Sequence, residues 1–217
     1  MTTIAVIGSF PSMPDDLAHA VPGDRVVRID RRGPFALAAD VEVALGAPGA
    51  DLITEFLGHA PKLRWLHTVA AGVERLLIPP IVGRHGLVLT NNSGSYDAPI
   101  AEFVLATMFA ISKHLPDYQR AQERREWHKD LRHTEVRDAT VVVLGLGSIG
   151  GEVARLACAV GARVIGVRRR LGSGGIPGVE RVVGPEALAD VVPEADFLAV
   201  TVPLTPATTG IVSAEII

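Results

Sequence analysis

The chain has 217 residues, enough for two small domains or one large domain, and 48% of them are hydrophobic. This apolar share indicates a well-buried core and argues against a disordered chain. The formal net charge of −3 gives no electrostatic reason to expect a nucleic acid or a membrane surface as a partner.

The single cysteine, Cys158, cannot support an internal disulfide framework, which favours a reducing, cytoplasmic environment. Because no catalytic motif surrounds it, we expect Cys158 to be a small core residue and not a nucleophile. The first residues contain neither a basic region nor a cleavage site, so no export signal is expected. The longest apolar stretch, 98–111, is interrupted by Glu102 and too short to span a bilayer, so we expect no membrane partner.

The first ninety-odd residues alternate between short apolar runs and segments rich in Asp, Pro and Gly. The apolar runs have the length and composition of strands, and the segments between them can form helices and turns. Such alternation predicts a parallel sheet covered by helices, which is the α/β class. The predicted strands are 4–8, 25–29, 41–45, 63–68 and 87–90.

A strongly helical segment follows over residues 99–113. We expect Asp97 to cap this helix, Pro99 to open it and Glu102 to lie in its first turn. The next segment, 119–137, is dense in charge and has few large apolar residues. It predicts a solvated helix and linker, and a contact between subunits is the alternative.

The remaining residues predict a second α/β unit. A buried strand, a helix, two strands, a helix and a further strand are predicted at 140–144, 148–160, 163–167, 179–183, 186–192 and 196–202. This is one half of a doubly wound sheet plus the first strand of the next half, and 212–217 looks like the first turn of another helix. Because strand 196–202 would otherwise be a bare hydrophobic edge, we expect the sequence to be interrupted before the sheet is complete.

The turn between the first strand and helix of this unit reads Gly-Leu-Gly-Ser-Ile-Gly and begins at Gly145. A G-x-G-x-x-G pattern between a buried strand and a helix predicts a dinucleotide-binding site. Gly145 allows the tight turn, Gly147 lets the backbone approach a pyrophosphate, and Gly150 lets helix and strand pack closely. The N–H groups of the new helix, from Ser148 and Ile149, would face the phosphates. The alternative is a plain strand-to-helix turn that uses glycine for its geometry alone.

The end of the next strand bears on which dinucleotide is bound. A site for NAD places Asp or Glu there, roughly 20 residues beyond the glycines, to accept a hydrogen bond from the ribose 2′-hydroxyl. This chain has Arg168 and Arg169 at that place, followed by Arg170, and no acid beside them. Because guanidinium groups pair with phosphate in a bidentate fork, we expect NADP(H) to be favoured and NAD(H) to be the second choice. The alternative is a solvated basic turn beside a glycine-rich loop, 171–175.

Four motifs occur in a fixed order along the chain: LRWLHTVAAGVE from Leu63, NNSG at 91–94 followed by AE at 101–102, the glycine turn, and VPLTPAT at 202–208. In order and spacing they resemble the D-isomer-specific 2-hydroxyacid dehydrogenases over essentially the whole chain. The sequence YDAPIAE at 96–102 and the arginine-rich second strand of the second unit resemble the NADPH-preferring, glyoxylate and hydroxypyruvate reductase-like members of that family.

The resemblance implies a division of labour between two domains. The first, 1–97, would be a flavodoxin-like domain that binds the substrate. The second, 98–217, would be a Rossmann domain, a doubly wound parallel sheet that binds NAD(P) and is incomplete at its C-terminal end. The family also implies a homodimer, formed through the cofactor domain.

The resemblance further assigns residues to the two ligands. Backbone N–H groups of Ala71 and Gly72 would hold the substrate carboxylate, because peptide groups are oriented donors without a mobile side chain. A tight turn at Gly72 that serves structure alone is the alternative. Pro203 would border a ribose of the cofactor. Thr208 could reach a phosphate, or it could be an ordinary polar residue of the loop.

The chemistry of the resembled family depends on an Arg that holds the substrate, a His that transfers the proton and a Glu that orients this His, and all three come after the point where this sequence ends. We therefore assign no catalytic residue in this chain and expect little or no turnover from the 217 residues alone. His67 could approach a substrate, but without a visible carboxylate partner we favour a partly buried structural role. His128 and His133 lack the spacing of metal ligands, and no metal site is expected.

The function implied for the complete protein is NADPH-dependent reduction of a small 2-oxo acid, reversible as oxidation of a 2-hydroxy acid. Two alternatives stay open from the sequence. One is a catalytically silent protein that binds a nucleotide or a protein partner, and the other is a non-functional fragment. The sequence does not identify which 2-hydroxy acid is used, since function is carried by sites and the deciding site is not visible here.

Overall fold

The computed structural model describes residues 1–31, 33–129, 131–171 and 176–217. The chain forms two compact units, Met1–Ser93 and Gly94–Ile217, each with its own parallel sheet and hydrophobic core. The expected assignment of residues 1–97 to the substrate and of residues 98–217 to the cofactor stays a prediction. Most of the glycine-rich loop expected beside the arginines, residues 172–175, lies outside the described part of the chain.

The first unit is built on a five-stranded parallel sheet. Its strands are β1 (Thr3–Ile7), β2 (Arg25–Ile29), β3 (Val43–Gly46), β4 (Trp65–Thr68) and β5 (Val88–Thr90). Across the sheet they are ordered β2-β1-β3-β4-β5, which is the flavodoxin-like order that the resemblance implies. β1 lies inside the sheet and is buried over its whole length, so its sequence TIAVI shows no alternation of polar residues.

Helices cover this sheet: α1 (Met13–Ala20), α2 (Ala50–His59) and α3 (Pro79–Val82). α2 shows why they form, since its buried residues recur three and four positions apart and make one apolar stripe. Phe56 from this stripe is fully buried in the same cluster as Ile29 and Leu66 from the sheet. The first unit therefore has a continuous core on which the loops at the strand ends are mounted.

The second unit contains a four-stranded parallel sheet. Its helices are α4 (Asp97–Ser112), α5 (Leu115–Glu123), α6 (Ser148–Ala159) and α7 (Leu188–Val191). Its strands are β6 (Thr140–Leu144), β7 (Arg163–Val167), β8 (Arg181–Val183) and β9 (Phe197–Val200). The sheet order β8-β7-β6-β9 is the 3-2-1-4 order of a Rossmann sheet. The predicted α/β class and the predicted Rossmann arrangement are confirmed.

β6 organises the core of this unit because both of its faces are buried. Val141 and Val143 belong to the cluster that α4 and α6 cover, through residues such as Met108. Val142 and Leu144 belong to a second cluster on the other face. The alternation of side chains along one strand thus joins two helical layers to the sheet.

The start of α4 corrects three expectations. The helix begins at Asp97 and Tyr96 takes the capping position, so the prediction that Asp97 is the cap is wrong. Pro99 is the third residue of the helix and not the first, and Glu102 lies in its second turn and not in its first. The cause is a backbone bond from the Ile100 N–H to the Tyr96 carbonyl, which starts the helix one residue earlier than a cap at Asp97 would allow. One carboxylate oxygen of Asp97 is buried and has no hydrogen-bond partner among the described residues.

α4 and α5 meet at a sharp joint. His114 between them has a positive φ of 52°, and the two helix axes differ by 64°. The helical part of the charged segment therefore begins at Leu115, ahead of the predicted 119. Within the described ranges, no single helix has the length and apolar composition needed to cross a membrane, and only this bent pair meets both criteria together.

The last elements are shorter than the sequence predicts. The predicted helix 186–192 is a 3₁₀ turn, the short α7 and a second 3₁₀ turn. Pro193 has no N–H to donate to the carbonyl of residue 189, so the α-helical bonds do not continue through it. β9 covers four residues of the predicted 196–202. At the end of the chain the Ile217 N–H bonds to the Ser213 carbonyl at 3.3 Å, which is a single helical turn as expected for 212–217.

Four side chains form an ion-pair cluster that joins β7, β8 and the turn before β9. Arg163 bonds to Glu180 at 2.5 Å and to Glu194 at 2.8 Å, and Arg181 also pairs with Glu194. The hydrogen bonds from Arg163 hold the pKa of Glu180 and of Glu194 below the usual range, and Arg181 adds to the effect on Glu194. A lowered folded-state pKa means that the pairs stabilise the fold at neutral pH and lose this effect as the pH falls.

We predict that Glu194→Gln lowers the urea midpoint of unfolding at pH 7 but changes it much less at about pH 3, below the ordinary glutamate pKa of about 4.3. The matched control is Glu186→Gln, which removes a carboxylate with no ion pair among the described residues. Midpoints from circular dichroism at both pH values make the comparison. A Glu194→Gln effect of equal size at pH 7 and pH 3 would contradict the assignment.

Candidate nucleotide-binding site

The turn after β6 is shaped by two glycines in close contact. Gly145 has a φ of +101°, and a Cβ built on it would lie 2.9 Å from the backbone N of Val202. A Cβ on Gly150 would lie 1.8 Å from the Gly145 carbonyl oxygen. Gly150 is therefore required for the packing of α6 against the end of β6, and Gly145 is required by its positive φ and by the close approach of Val202.

Gly147 differs from these two glycines. It is the residue before α6, its φ of −79° suits any amino acid, and a Cβ built on it would have no atom within 4 Å. Neither backbone strain nor internal packing explains a glycine here. Its open surroundings are what a ligand that approaches the backbone needs.

The next two residues complete the turn. Ser148 is the first residue of α6, and Ile149 follows it. The Ile149 side chain packs against the core of the unit, so only its backbone N–H is available to a ligand. The Gly151 N–H makes the first α-helical bond, to the Gly147 carbonyl at 2.8 Å.

Two contacts hold the turn against residues outside the motif. The hydroxyl of Thr201, at the end of β9, donates a hydrogen bond of 2.7 Å to the Gly145 carbonyl. The side chain of Leu146 lies over Gly166 of β7, where a built Cβ would be 2.2 Å from Leu146 Cδ1. The sequence did not identify the role of Thr201 or the contact between Leu146 and Gly166. The threonine at the end of the apolar run FLAVTV was a signal for Thr201.

A cleft of about 480 Å³ opens beside the turn. Six of the nine residues predicted to bind the cofactor line it: Gly145, Gly147, Arg168, Arg169, Pro203 and Thr208. The other three, Ser148, Ile149 and Gly150, are in the first turn of α6 and are not among the residues that line the cleft. The cleft is at the carboxyl ends of β6 and β7, where open α/β sheets bind their ligands.

The electrostatic character of the cleft comes from three consecutive arginines. Arg168, Arg169 and Arg170 all line it, and no acidic side chain is among its described lining residues. The Arg168 N–H continues the strand pairing to the Val183 carbonyl at 3.0 Å, and its Nη2 donates to the Leu171 carbonyl at 3.4 Å. This end of β7 therefore presents positive charge to any anionic ligand.

The opposite wall is a loop held together by threonines. The Thr208 hydroxyl donates to the Pro203 carbonyl at 2.5 Å and accepts from the Thr205 N–H at 2.9 Å. Pro203 itself lines the cleft. Both interpretations of Thr208 thus have support, since it lies on the wall while its hydroxyl fixes the loop that carries Pro203.

The predicted substrate loop belongs to the first unit and follows β4. Its carbonyl groups are occupied: Asn91 Nδ2 donates to the Ala71 carbonyl at 2.6 Å, and the Asn92 N–H to the Ala70 carbonyl at 3.1 Å. By contrast, the N–H groups of Ala71 and Gly72 have no acceptor in the described part of the chain. Two adjacent backbone N–H donors therefore lie on a loop whose carbonyl groups are held by hydrogen bonds.

Gly72 is not held in the left-handed region, so turn geometry does not require a glycine there. The space that its side chain would fill is occupied by the carboxylate of Glu74, whose Oε2 would be 2.3 Å from a built Cβ. That atom is the end of a flexible, exposed side chain. The alternative of a purely structural tight turn thus loses its geometric support.

His67 is engaged by its neighbours on the sheet. Its Nδ1 lies 2.9 Å from the Thr90 hydroxyl on the paired strand, and the same hydroxyl accepts from Trp65 Nε1 at 2.8 Å. The Thr90 O–H can therefore donate to Nδ1. No described carboxylate pairs with His67, which agrees with the structural role expected for it.

Cys158 packs partly buried against the core of the second unit, and burial raises the pKa of its thiol. A raised thiol pKa reduces the thiolate fraction, so the environment does not activate it as a nucleophile. Among the described residues, no three His, Cys, Asp or Glu side chains come close enough together to hold a metal ion.

Comparison with known proteins gives a consistent result. Residues 105–217, more than half of the chain, match the family model of the D-isomer specific 2-hydroxyacid dehydrogenase NAD-binding domain. The chain is 30% identical to D-3-phosphoglycerate dehydrogenase from Synechocystis over 88% of its own length. It spans about a third of that relative, 35% of its length.

Solved structures show the same likeness over both units. A D-isomer specific 2-hydroxyacid dehydrogenase family protein from Aeromonas salmonicida matches with a TM-score of 0.83 and 25% identity, covering 95% of this chain and 66% of that one. An NADPH-dependent glyoxylate/hydroxypyruvate reductase from Sinorhizobium meliloti, in complex with NADP and sulfate, matches with a TM-score of 0.76 and 26% identity, covering 96% and 64%. The glycine turn, the strand order and these matches together show that the chain belongs to the D-isomer-specific 2-hydroxyacid dehydrogenase family.

Proposed function

We propose that this chain binds NADP(H) in the cleft at the glycine turn. We further propose that it belongs to an oxidoreductase that transfers a hydride between the nicotinamide and a small 2-oxo or 2-hydroxy acid. The observation that carries the proposal is the open space at Gly147, between two glycines that packing requires. Of the three glycines of the motif, Gly147 alone has open space where a Cβ would lie, and a pyrophosphate can approach the backbone there. The relatives are named as dehydrogenases and reductases, which favours this function over a catalytically silent protein or a non-functional fragment.

The preference for NADP(H) over NAD(H) rests on the arginines. Arg168 and Arg169 line the cleft at the end of β7, where an NAD site would carry an acid. A guanidinium can bind a 2′-phosphate through two parallel hydrogen bonds, whereas an acid there would repel it. The Sinorhizobium relative is described as NADPH-dependent and as a complex with NADP, which agrees with this choice.

For the substrate, we propose that the N–H groups of Ala71 and Gly72 bind the carboxylate of the 2-oxo acid. Asn91 and Asn92 hold the carbonyl side of this loop, so the two donors keep their direction without the substrate. Glu74 beside Gly72 would have to turn away, because two carboxylates repel each other at that distance. The bound nicotinamide would supply the hydride chemistry, and the chain would supply position and electrostatics.

The proposal is tested by calorimetric titration of the purified chain with NADP⁺ and NAD⁺. We expect NADP⁺ to bind and NAD⁺ to bind at least tenfold more weakly, since the difference is a charged hydrogen-bonded contact. The decrease in NADPH absorbance after glyoxylate is added to the purified chain then measures its turnover. Failure to bind either nucleotide would overturn the proposed function.

We predict that Arg168→Gln and Arg169→Gln each weaken NADP⁺ binding by about 10- to 100-fold, because each removes a charged hydrogen bond worth about 1.5–3 kcal/mol. NAD⁺ has no 2′-phosphate, so its Kd should change little. Arg155→Gln is the matched control, since Arg155 pairs with Glu152 on α6 and does not line the cleft. Equal losses for both nucleotides would argue against recognition of the 2′-phosphate.

We predict that substitutions of two glycines in the turn have different effects. Gly147→Ala should lower the free energy of unfolding by about 1 kcal/mol or less, because a built Cβ meets nothing and alanine is only a poorer residue than glycine at the start of a helix. Its methyl group should weaken NADP⁺ binding at least tenfold. Gly150→Ala should destabilise the second unit by about 1–3 kcal/mol or more, because its Cβ collides with the Gly145 carbonyl.

Gly151→Ala is the control for both variants. It lies in the same helix, and its built Cβ makes only ordinary contact, 3.6 Å from Ile176 Cδ1. It should fold at least as well as the wild type and bind NADP⁺ normally. Urea unfolding and calorimetry separate stability from binding. If Gly147→Ala binds NADP⁺ as the wild type does, the open space at this position is not a ligand site.

We also propose a homodimer formed through the second unit, in a reducing, cytoplasmic environment that suits the single Cys158. α4 is apolar on more than its packed face: Phe103 is 72% exposed, and Phe109 and Ile111 are exposed on the same helix. An apolar surface of this kind on a helix is typical of an interface. The partner that we propose for this surface is a second copy of the chain.

We predict that light scattering gives twice the chain mass of 22.9 kDa for the wild type and the single mass for Phe103→Glu. A buried glutamate would have to be desolvated in the interface. Val82→Glu is the control, because Val82 is an exposed apolar residue of the first unit. A monomeric wild type at all concentrations would rule out the dimer.

A further inference from the structure

We propose that Thr201 is a positioning residue for the pyrophosphate of the nucleotide, an inference that rests on the proposed NADP(H) site. Thr201 lies just beyond β9, and its backbone N–H donates to the Leu144 carbonyl at 2.9 Å. Its hydroxyl lies 2.7 Å from the Gly145 carbonyl oxygen and 3.3 Å from that of Leu144. A hydroxyl has one proton to donate, and the shorter distance assigns it to Gly145.

This hydrogen bond fixes the plane of the peptide between Gly145 and Leu146. In a trans peptide the C=O and N–H groups point in opposite directions. With the Gly145 carbonyl directed at Thr201, the Leu146 N–H points away from Thr201. Leu146 lines the cleft, and its N–H has no acceptor among the described residues. The hydroxyl therefore keeps one backbone donor of the glycine turn aimed for a phosphate oxygen.

The fit around the hydroxyl is close. A Cβ on Gly150 would lie 2.5 Å from Thr201 Oγ1, so the space left by that glycine is where the hydroxyl sits. In the described part of the chain, the Gly145 carbonyl accepts from no other donor. Without the hydroxyl, this carbonyl would lose its partner and the peptide plane could rotate, so part of the ordering would have to occur on binding.

The interaction differs in kind from that of the arginines. Arg168 and Arg169 would recognise the 2′-phosphate at the far end of the cleft, and Thr201 acts through the turn that faces the pyrophosphate. Adenosine 2′-phosphate carries the first group and lacks the second. It is therefore the probe that separates the two contributions.

The test compares Thr201→Val, which removes the hydroxyl at nearly constant volume, with Thr201→Ser, which keeps it. Calorimetry of the full chain measures Kd for NADP⁺ and for adenosine 2′-phosphate. We expect Thr201→Val to weaken NADP⁺ about tenfold, a typical effect of one hydrogen bond, and to leave adenosine 2′-phosphate within a factor of two. Thr201→Ser should bind both as the wild type does.

Thr107→Val is the matched control. The Thr107 hydroxyl also donates to a backbone carbonyl, that of Phe103 at 2.8 Å, but on α4 and outside the cleft. It should change neither Kd. If Thr201→Val does not fold, Thr201→Cys replaces it, because a thiol is a weak donor of similar size, and the same selective loss is required.

Three results would overturn the inference. Wild-type NADP⁺ binding in Thr201→Val would show that the hydroxyl does not position the turn. Equal weakening of NADP⁺ and adenosine 2′-phosphate would show a general loss of folded protein. Absence of NADP⁺ binding by the wild-type chain would overturn the proposed function together with this inference, whereas the first two results leave the proposed function intact.

Discussion

The second unit depends on how closely α6 can approach the end of β6. The Gly150 backbone lies against the Gly145 carbonyl at a distance that leaves no room for a side chain. The glycine turn that precedes the helix, Gly145–Gly147, forms one side of the cleft, and the arginines after β7 and the loop after β9 form the other two. A larger residue at Gly150 would separate helix and strand, and one at Gly145 would displace the segment after β9, so either change would alter the cleft.

This close approach explains why the candidate site is made mostly of backbone. Side chains do two other tasks around it. The arginines bring charge to one wall, and the threonines hold loops in place, with Thr208 fixing Pro203 and Thr201 fixing the Gly145 carbonyl. Hydrogen bonds inside a partly buried turn cost little entropy once the core has formed, so they give direction to groups that would otherwise have to be ordered by the ligand.

Much of the fold could be predicted from the sequence because its signals are local. The apolar run of β6 and the glycine turn after it fall where the sequence predicts them. Elements whose limits depend on single hydrogen bonds could not be placed as well. The early start of α4 follows from the Tyr96 carbonyl, and the break before α5 follows from the positive φ of His114. Neither residue type announces such a geometry.

In the candidate site, contacts between residues far apart in the sequence were also not predictable. The arginines and the glycines could be read from the sequence, because a known motif has a fixed spacing. Thr201 could not, since 56 residues separate it from the carbonyl that it holds, and only the pairing of β9 with β6 brings them together. The role of Gly72 was open for a similar reason, because the neighbours that decide it, Asn91 and Glu74, are defined by the loop's own conformation.

The uncovered backbone at Gly147 also has a consequence for how such a protein can change over generations. Selection for a stable fold acts strongly on Gly145 and Gly150, whose surroundings are filled, and much less on Gly147, where a built Cβ would meet no atom within 4 Å. A descendant that no longer needed a nucleotide would therefore be free to acquire side chains at residue 147 while it kept the other two glycines. A replacement at Gly147 would then indicate that the nucleotide was no longer bound although the fold was kept.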